Sequence, residues 1–214
     1  MEEAFIHSCN HVFAQLALEI GETNLRKTAE SLGFNGEFLF DELVAYPGTY
    51  GDAETDFELA WSGVGQHTDI ITPVHLCLIT CAVANGSAAM EPKLLKGVSG
   101  TAGIEYKSLA PEVYEAFLKG NEAEFLAACM RGVVQRGTGT RAAVDGYTVC
   151  GKTGTAEVSS AKNARAHAWF TGYIDSDAHP YAITVIVEQA GGGGTVAAPI
   201  ASKVLERAVK TKAE

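Results

Sequence analysis

No apolar run in the sequence is long enough to cross a bilayer. The longest, Pro73 to Ala84, is interrupted by His75 and Thr80 and falls short of the roughly 20 residues a spanning helix needs. The first residues do not read as a secretory leader. Basic residues are scarce: 16 Lys and Arg stand against 26 Asp and Glu, a net charge of −10, which argues against a nucleic-acid partner. The five cysteines (Cys9, Cys77, Cys81, Cys129, Cys150) form no C-x-x-C pair. Their odd count and scattered spacing read as free thiols of a reducing or anaerobic setting, not as a disulfide framework. His7 and His11 sit four apart, but Ser8 stands where an H-E-x-x-H site has its Glu, so no metal is expected. No internal repeat is present. What remains is ordinary globular composition, 47% hydrophobic and 20% charged over 214 residues, which suits one domain or two lobes sharing a core.

The first part of the chain reads as helical. Ser8-Cys9-Asn10 opens a helix whose apolar face is Val12, Phe13, Leu16, Ala17 and Ile20, with Gly21 as its C-cap. Taken alone, Ser8 and Asn10 are simple capping residues there. Met1-Glu2-Glu3 leads straight into this pattern without a strand or cap of its own, which reads as a start set inside a longer protein. A second helix runs from Thr23 or Asn24 to Gly33. Residues 36–65 are acidic and broken by Pro47-Gly48 and Gly51, a loop with one helical turn near Phe57. Thr72-Pro73 starts a buried helix that Asn85-Gly86 ends. Residues 91–110 read as irregular, followed by helices over Pro111–Leu118 and Glu122–Gln135.

The remainder reads as sheet. A β-prone run begins at Tyr147-Thr148-Val149, and His167–Tyr173 and Tyr181–Val187 are two more strands joined through Asp175-Ser176-Asp177. Short links favour antiparallel pairing. Gly191 to Gly194 reads as a flexible joint before a last helix through Ile200, Val204, Leu205 and Ala208. The fold class is therefore α/β (α+β): a mainly helical lobe, 1–140, then an antiparallel sheet with a terminal helix, 141–214.

The chemistry concentrates in Val149-Cys150-Gly151-Lys152-Thr153-Gly154-Thr155-Ala156-Glu157. Gly151 and Gly154 flank a lone lysine and suggest close approach to the strand backbone. Thr153 and Thr155 share one face at period two while Lys152 points to the other. Two hydroxyls, open N–H groups and an ammonium are the equipment for holding a carboxylate and a developing oxyanion. Gly146 to Thr153 also matches the phosphate-cradling G-x-x-x-x-G-K-[ST]. That motif needs a helix opening at the lysine, whereas Tyr147-Thr148-Val149-Cys150 is strand-like and Gly154 follows the lysine.

The ordered landmarks decide between these readings. Ser8-Cys9-Asn10 resembles an S-x-N motif and Lys152-Thr153-Gly154 a K-T-G motif. Gly65-Gln66, Thr72-Pro73, Ala84-Asn85-Gly86, the Val133 to Gly139 run and Ala168-Trp169-Phe170-Thr171-Gly172 fall between and after them. Along nearly its whole length the chain resembles the C-terminal part of a penicillin-binding protein transpeptidase domain, with His67 in place of one landmark glycine. The resemblance implies that Lys152 stabilises charge and aids proton transfer, Ser8 relays a proton, and Asn10 holds the substrate amide. Thr153, Gly154 and Thr155 then bind the substrate, with the Thr155 N–H as half of an oxyanion hole. The implied reaction is acyl transfer through an acyl-serine, from a peptidoglycan stem peptide ending in D-Ala-D-Ala to an amine, with β-lactams as further ligands and no cofactor.

One departure is plain. The family's S-x-x-K belongs upstream of S-x-N, but only seven residues precede Ser8, and none is serine. Ser159-Ser160-Ala161-Lys162 matches formally but lies after Lys152 in a polar link, and reads as coincidence. The 214 residues alone are thus expected to bind penicillin without forming an adduct. The parent is expected to be anchored at the extracytoplasmic face of a bacterial membrane. A D,D-carboxypeptidase and a non-catalytic binding module are the related alternatives, a P-loop NTPase the unrelated one. The Ile- and Val-rich strand Tyr181–Val187 is expected to leave a bare edge prone to self-association.

Overall fold

A three-stranded antiparallel sheet in the order β5-β6-β7 organises the molecule, built from β5 (Val149–Ala156), β6 (His167–Ile174) and β7 (Ala182–Val187). The computed structural model describes residues 1–101, 105–108, 110–158 and 164–211. Alternation along β6 gives the sheet two buried faces. Ala168, Phe170 and Ile174 face a core shared with Ala197, Ala198, Ala201 and Leu205 of the last helix, α7 (Ala197–Lys210). On the other face Thr171 meets Thr80 of α5 (Pro73–Ala84). Tyr173 packs there with Cys150, Val83 and Met130, the last of these from α6 (Gly120–Arg136). Covering both faces in this way explains why β6 is apolar almost throughout.

The helical part begins with α1 (Glu2–Ile6), α2 (Asn10–Ile20) and α3 (Glu22–Ser31). The helix expected to open at Ser8-Cys9-Asn10 and to end at Gly21 is α2; the short α1 precedes it, with Ser8 in the turn between the two. The acidic loop contains α4 (Asp56–Ser62), fixed by a capping box between Thr55 and Glu58. Thr72 caps α5 through the His75 N–H, with Pro73 at the first helical position, as the sequence predicts.

Two expectations fail. Pro111–Leu118 is not helical: β4 (Val113–Ala116) pairs antiparallel with β1 (Ala88–Met90). The spacing of Val113, Tyr114, Phe117 and Leu118 would also fit a helix. In the fold Phe117 is buried, Tyr114 packs edge-on against Phe38 and Phe40, and helix formation waits for Gly120, where Glu122 closes on the Lys119 N–H. Partnering the strand after Asn85-Gly86 overrides the local preference. Residues 91–110, read as irregular, hold the paired strands β2 (Gly97–Ser99) and β3 (Glu105–Ser108).

His75 ties the loop to the helices. It is fully buried; its Nδ1 accepts from the Gly48 N–H at 2.8 Å and its Nε2 donates to the Leu32 carbonyl at 2.7 Å. Phe34 and Phe38 enclose the ring, and burial pushes its pKa below the usual 6.5. A neutral imidazole alone can accept and donate in this way. Because the folded pKa is depressed, the native state binds fewer protons than the unfolded chain as pH falls. Its contribution to stability is therefore full above about pH 6.5 and lost progressively below it. His75→Leu should unfold more easily at pH 7.5, by about 2–4 kcal/mol for two stranded buried backbone groups, and should flatten the acid limb of a denaturant-midpoint profile.

Candidate active site

Lys152 stands in the middle of β5, so no helix opens at it, and the P-loop reading of Gly146 to Thr153 fails on that ground. The strand's two faces and its edge do different work. Lys152, Thr171 and Thr184 are directly opposite one another across β5, β6 and β7 and share the α5 face. Thr80, Thr171 and Thr184 form a row of hydroxyls there, with Oγ1 separations of 2.6 and 2.7 Å. Thr153 and Thr155 lie on the other face: Thr153 Oγ1 meets Thr138 Oγ1 at 2.6 Å, and Thr155 Oγ1 accepts from the Gly193 N–H at 3.2 Å.

The outer edge follows from the ladder. The Asp175 N–H donates to the Thr148 carbonyl, so Thr148 and every second residue after it face β6, while Thr153 and Thr155 turn their N–H and C=O groups away from it. Their carbonyls are met by Lys152 Nζ at 2.8 Å and Gln66 Nε2 at 3.3 Å. The Thr155 N–H shares that orientation and faces the cleft.

Ser8 reaches Lys152 from 144 residues away. Lys152 Nζ donates to Ser8 Oγ at 2.9 Å and lies 5.7 Å from the centre of the Phe5 ring. The backbone at Ser8 is unusual: φ is +53°, in the left-handed region that favours glycine. The Cys9 N–H bonds the Ala4 carbonyl at 2.8 Å and the Ser8 N–H bonds Phe5 at 3.1 Å, the pattern of a Schellman turn with serine at its left-handed position. Ser8 makes no side-chain cap of α2, so the capping reading is replaced by one in which its hydroxyl is held out toward Lys152. Burial pushes the Lys152 pKa down to about 8. It is therefore mostly an ammonium at neutral pH, yet near enough to release its proton.

These groups line one cleft of about 1300 Å³, with Asn10 at the start of α2 on one wall and Gly154 and Thr155 on the other. Six residues named from the sequence (Ser8, Asn10, Lys152, Thr153, Gly154, Thr155) are thus brought together. Ser159 to Lys162 lies outside the described residues.

Some residues carry roles the sequence did not reveal. Gly151 does not open the backbone to a ligand: a side chain there would strike Phe170, as it would at Gly172 opposite. Gly193 is no loose joint. A Cβ on it would meet the Trp169 and Gly154 carbonyls at 2.2 and 2.3 Å, so the glycine run packs flat on the sheet. Gln66, Thr138 and Arg141 also line the cleft. Gln66 and Thr138 sit in landmark stretches, a signal of position without a role; Arg141 carries no such signal.

Both members of the Ser8–Lys152 pair oppose stability, which gives a test. Ser8→Gly relieves the left-handed turn and should gain about 0.5–1 kcal/mol. Lysine's depressed pKa means the buried ammonium opposes folding at neutral pH, so Lys152→Met should unfold at the same temperature as the parent or higher. Thermal unfolding at pH 7 reads both; losses of stability would show that the pair is structural.

The model for the penicillin binding protein transpeptidase domain matches residues 1–206. Peptidoglycan D,D-transpeptidase PbpA of Mycobacterium tuberculosis is 29% identical over 98% of this chain and 44% of its own length. Peptidoglycan D,D-transpeptidase MrdA of Haemophilus influenzae is 30% identical over 96% of this chain and 36% of its own. The chain thus spans less than half the length of these curated relatives. Among solved structures, the ceftriaxone acyl-enzyme complex of penicillin-binding protein A from M. tuberculosis superposes with a TM-score of 0.88 at 27% identity, covering 98% of this chain and 48% of that one. The D,D-transpeptidase domain of an Eggerthella lenta peptidoglycan glycosyltransferase gives 0.84 at 29%, covering 98% and 52%. With a serine held against a half-buried lysine at the edge of such a sheet, this chain belongs to the penicillin-binding protein transpeptidase family.

Proposed function

We propose that these 214 residues hold the lysine, relay and carboxylate-binding part of a peptidoglycan D,D-transpeptidase site. What supports the reading above all is the 2.9 Å contact of Lys152 Nζ with Ser8 Oγ across the cleft. Lys152, with its pKa near 8, steadies the charge of the tetrahedral intermediate and supplies a proton. Ser8 passes that proton to the departing amine of the terminal D-Ala. Asn10 orients the amide, and Thr153 and Thr155 receive the terminal carboxylate beside Gly154. The Thr155 N–H contributes to the oxyanion hole. None of these steps uses a cofactor or a metal.

The M. tuberculosis relative's acyl-enzyme complexes extend the reading to β-lactams as ligands of the same cleft. A D,D-carboxypeptidase would use the same groups with water as acceptor. The setting we assign is the extracytoplasmic face of a bacterial membrane; among the described residues no helix is long and apolar enough to cross one.

The experiment is to mix the chain with a fluorescent penicillin and weigh it intact. Ser8 receives a hydrogen bond from an ammonium and stands without a neutral base, so reversible binding without a stoichiometric adduct is expected, and Lys152→Ala should weaken it. An adduct mapped to Ser8 would make that serine a nucleophile and overturn its role as relay; absence of binding would remove the transpeptidase reading.

The reading also includes self-association. All six residues of β7 are half-buried, and no strand pairs with its outer side among the described residues. Solution scattering should show a mass rising with concentration; a monomer throughout would sink this part.

A further inference from the structure

Hydroxyl groups alone do not explain how the cleft would choose an acid. Thr138, Thr153 and Thr155 can donate to a carboxylate or to a carboxamide, so a free C-terminus is distinguished from a blocked one only by positive charge. Lys152 is engaged elsewhere, by Ser8 Oγ and the Thr153 carbonyl. The other fixed cation lining the cleft is Arg141.

Its backbone is held firmly. Arg141 lies in the 3-10 turn Thr140–Ala142, whose last residue is fully buried against Val134, Val144 and Leu205. The Ala142 N–H bonds Gly139 at 2.8 Å, and Ser202 Oγ of α7 donates to the Ala143 carbonyl at 2.7 Å. With its neighbour anchored inward, the Arg141 side chain is exposed. Arg26, Arg131 and Arg136 are each bound to a carboxylate, whereas Arg141, like Arg165 and Arg207 outside the cleft lining, makes no ion pair among the described residues. The same short segment carries Thr138, whose hydroxyl touches Thr153. Of the cleft's two carboxylates, Asp69 accepts from the Gly51 N–H and Ser62 Oγ, while Glu157 lies just beyond β5.

We propose that Arg141 is a specificity-determining residue: the cation that pairs with the terminal carboxylate of the acyl donor beside the Thr153 and Thr155 hydroxyls. This rests on the D,D-transpeptidase reading and adds to it the group that makes a free acid obligatory. A guanidinium can grip both carboxylate oxygens, which neutral hydroxyls reinforce but do not replace. The overall charge of −10 repels an anionic peptide at long range, so a local cation at the mouth decides its entry.

The test is an NMR titration of the whole chain with two probes, an N-acylated peptide ending in D-Ala-D-Ala and its C-terminal carboxamide. The parent should bind the acid about tenfold more tightly. Arg141→Gln should bind both equally, with carboxamide affinity unchanged, and Arg141→Lys should restore part of the preference. If Arg141→Gln keeps the preference while Thr155→Val loses it, the transpeptidase reading stands and the role of Arg141 falls. If the parent binds neither peptide, both fall together.

Discussion

The hydrogen bond from Lys152 to Ser8 is the constraint on which the rest of the arrangement depends. It joins a strand to a turn between two helices, 144 residues apart, and neither partner is at ease where it stands. Lysine gives up water, which lowers its pKa to about 8, and serine occupies a backbone conformation suited to glycine. Strain of this kind persists only where the surroundings over-determine it. Here they do so from both sides. The Schellman bonds to Ala4 and Phe5 lock the turn, and Ile6, fully buried, anchors the short helix before it. The strand is fixed by Phe170, whose ring fills the space left by Gly151 and Gly172.

The strand's sequence makes sense as three demands met by eight residues. One face must pack, so Val149 is buried on the α7 side and Thr153 follows it there. The other must hold a cation without flooding it, and the row from Thr171 to Thr184 and Thr80 supplies polar, uncharged neighbours to the sheet behind it. The edge must leave N–H groups facing the cleft. An edge strand ordinarily invites another chain. In β5 that edge is occupied in part by Lys152 and Gln66, which take the outward carbonyls of Thr153 and Thr155 and leave donors facing the cleft.

Much of this was legible in the sequence, for physical reasons. Runs rich in aromatic and β-branched residues with turn residues between them stood out as strands, and Thr72-Pro73 as a helix start, because a capping hydroxyl followed by proline has one obvious use. The six residues that meet in the cleft were named because their types and order carry chemistry. Other features were written in contacts. Whether 111–118 is helix or strand depends on β1 being available to pair, which no local window contains. Gly193 looked like freedom and is close packing, since its partners lie on β5 and β6. The short α1 and the left-handed turn at Ser8 were hidden for a different reason: residues are read by what they favour, and Ser8 is kept where it is disfavoured.

That mismatch is itself informative about function. Local propensity, packing and polar satisfaction agree over most of the molecule, as in His75, whose two ring nitrogens are both bonded inside the core. Agreement breaks down at Ser8, held at a left-handed backbone angle, and at Lys152, an ammonium largely withdrawn from water. Two unfavourable choices opening on one cleft are hard to derive from stability, which a glycine and a methionine would serve as well or better. They are what a site must hold ready if an anionic peptide is to be bound at one end and a proton moved at the other. The ammonium is kept dry enough for its pKa to fall to about 8, whereas the Arg141 guanidinium is left exposed.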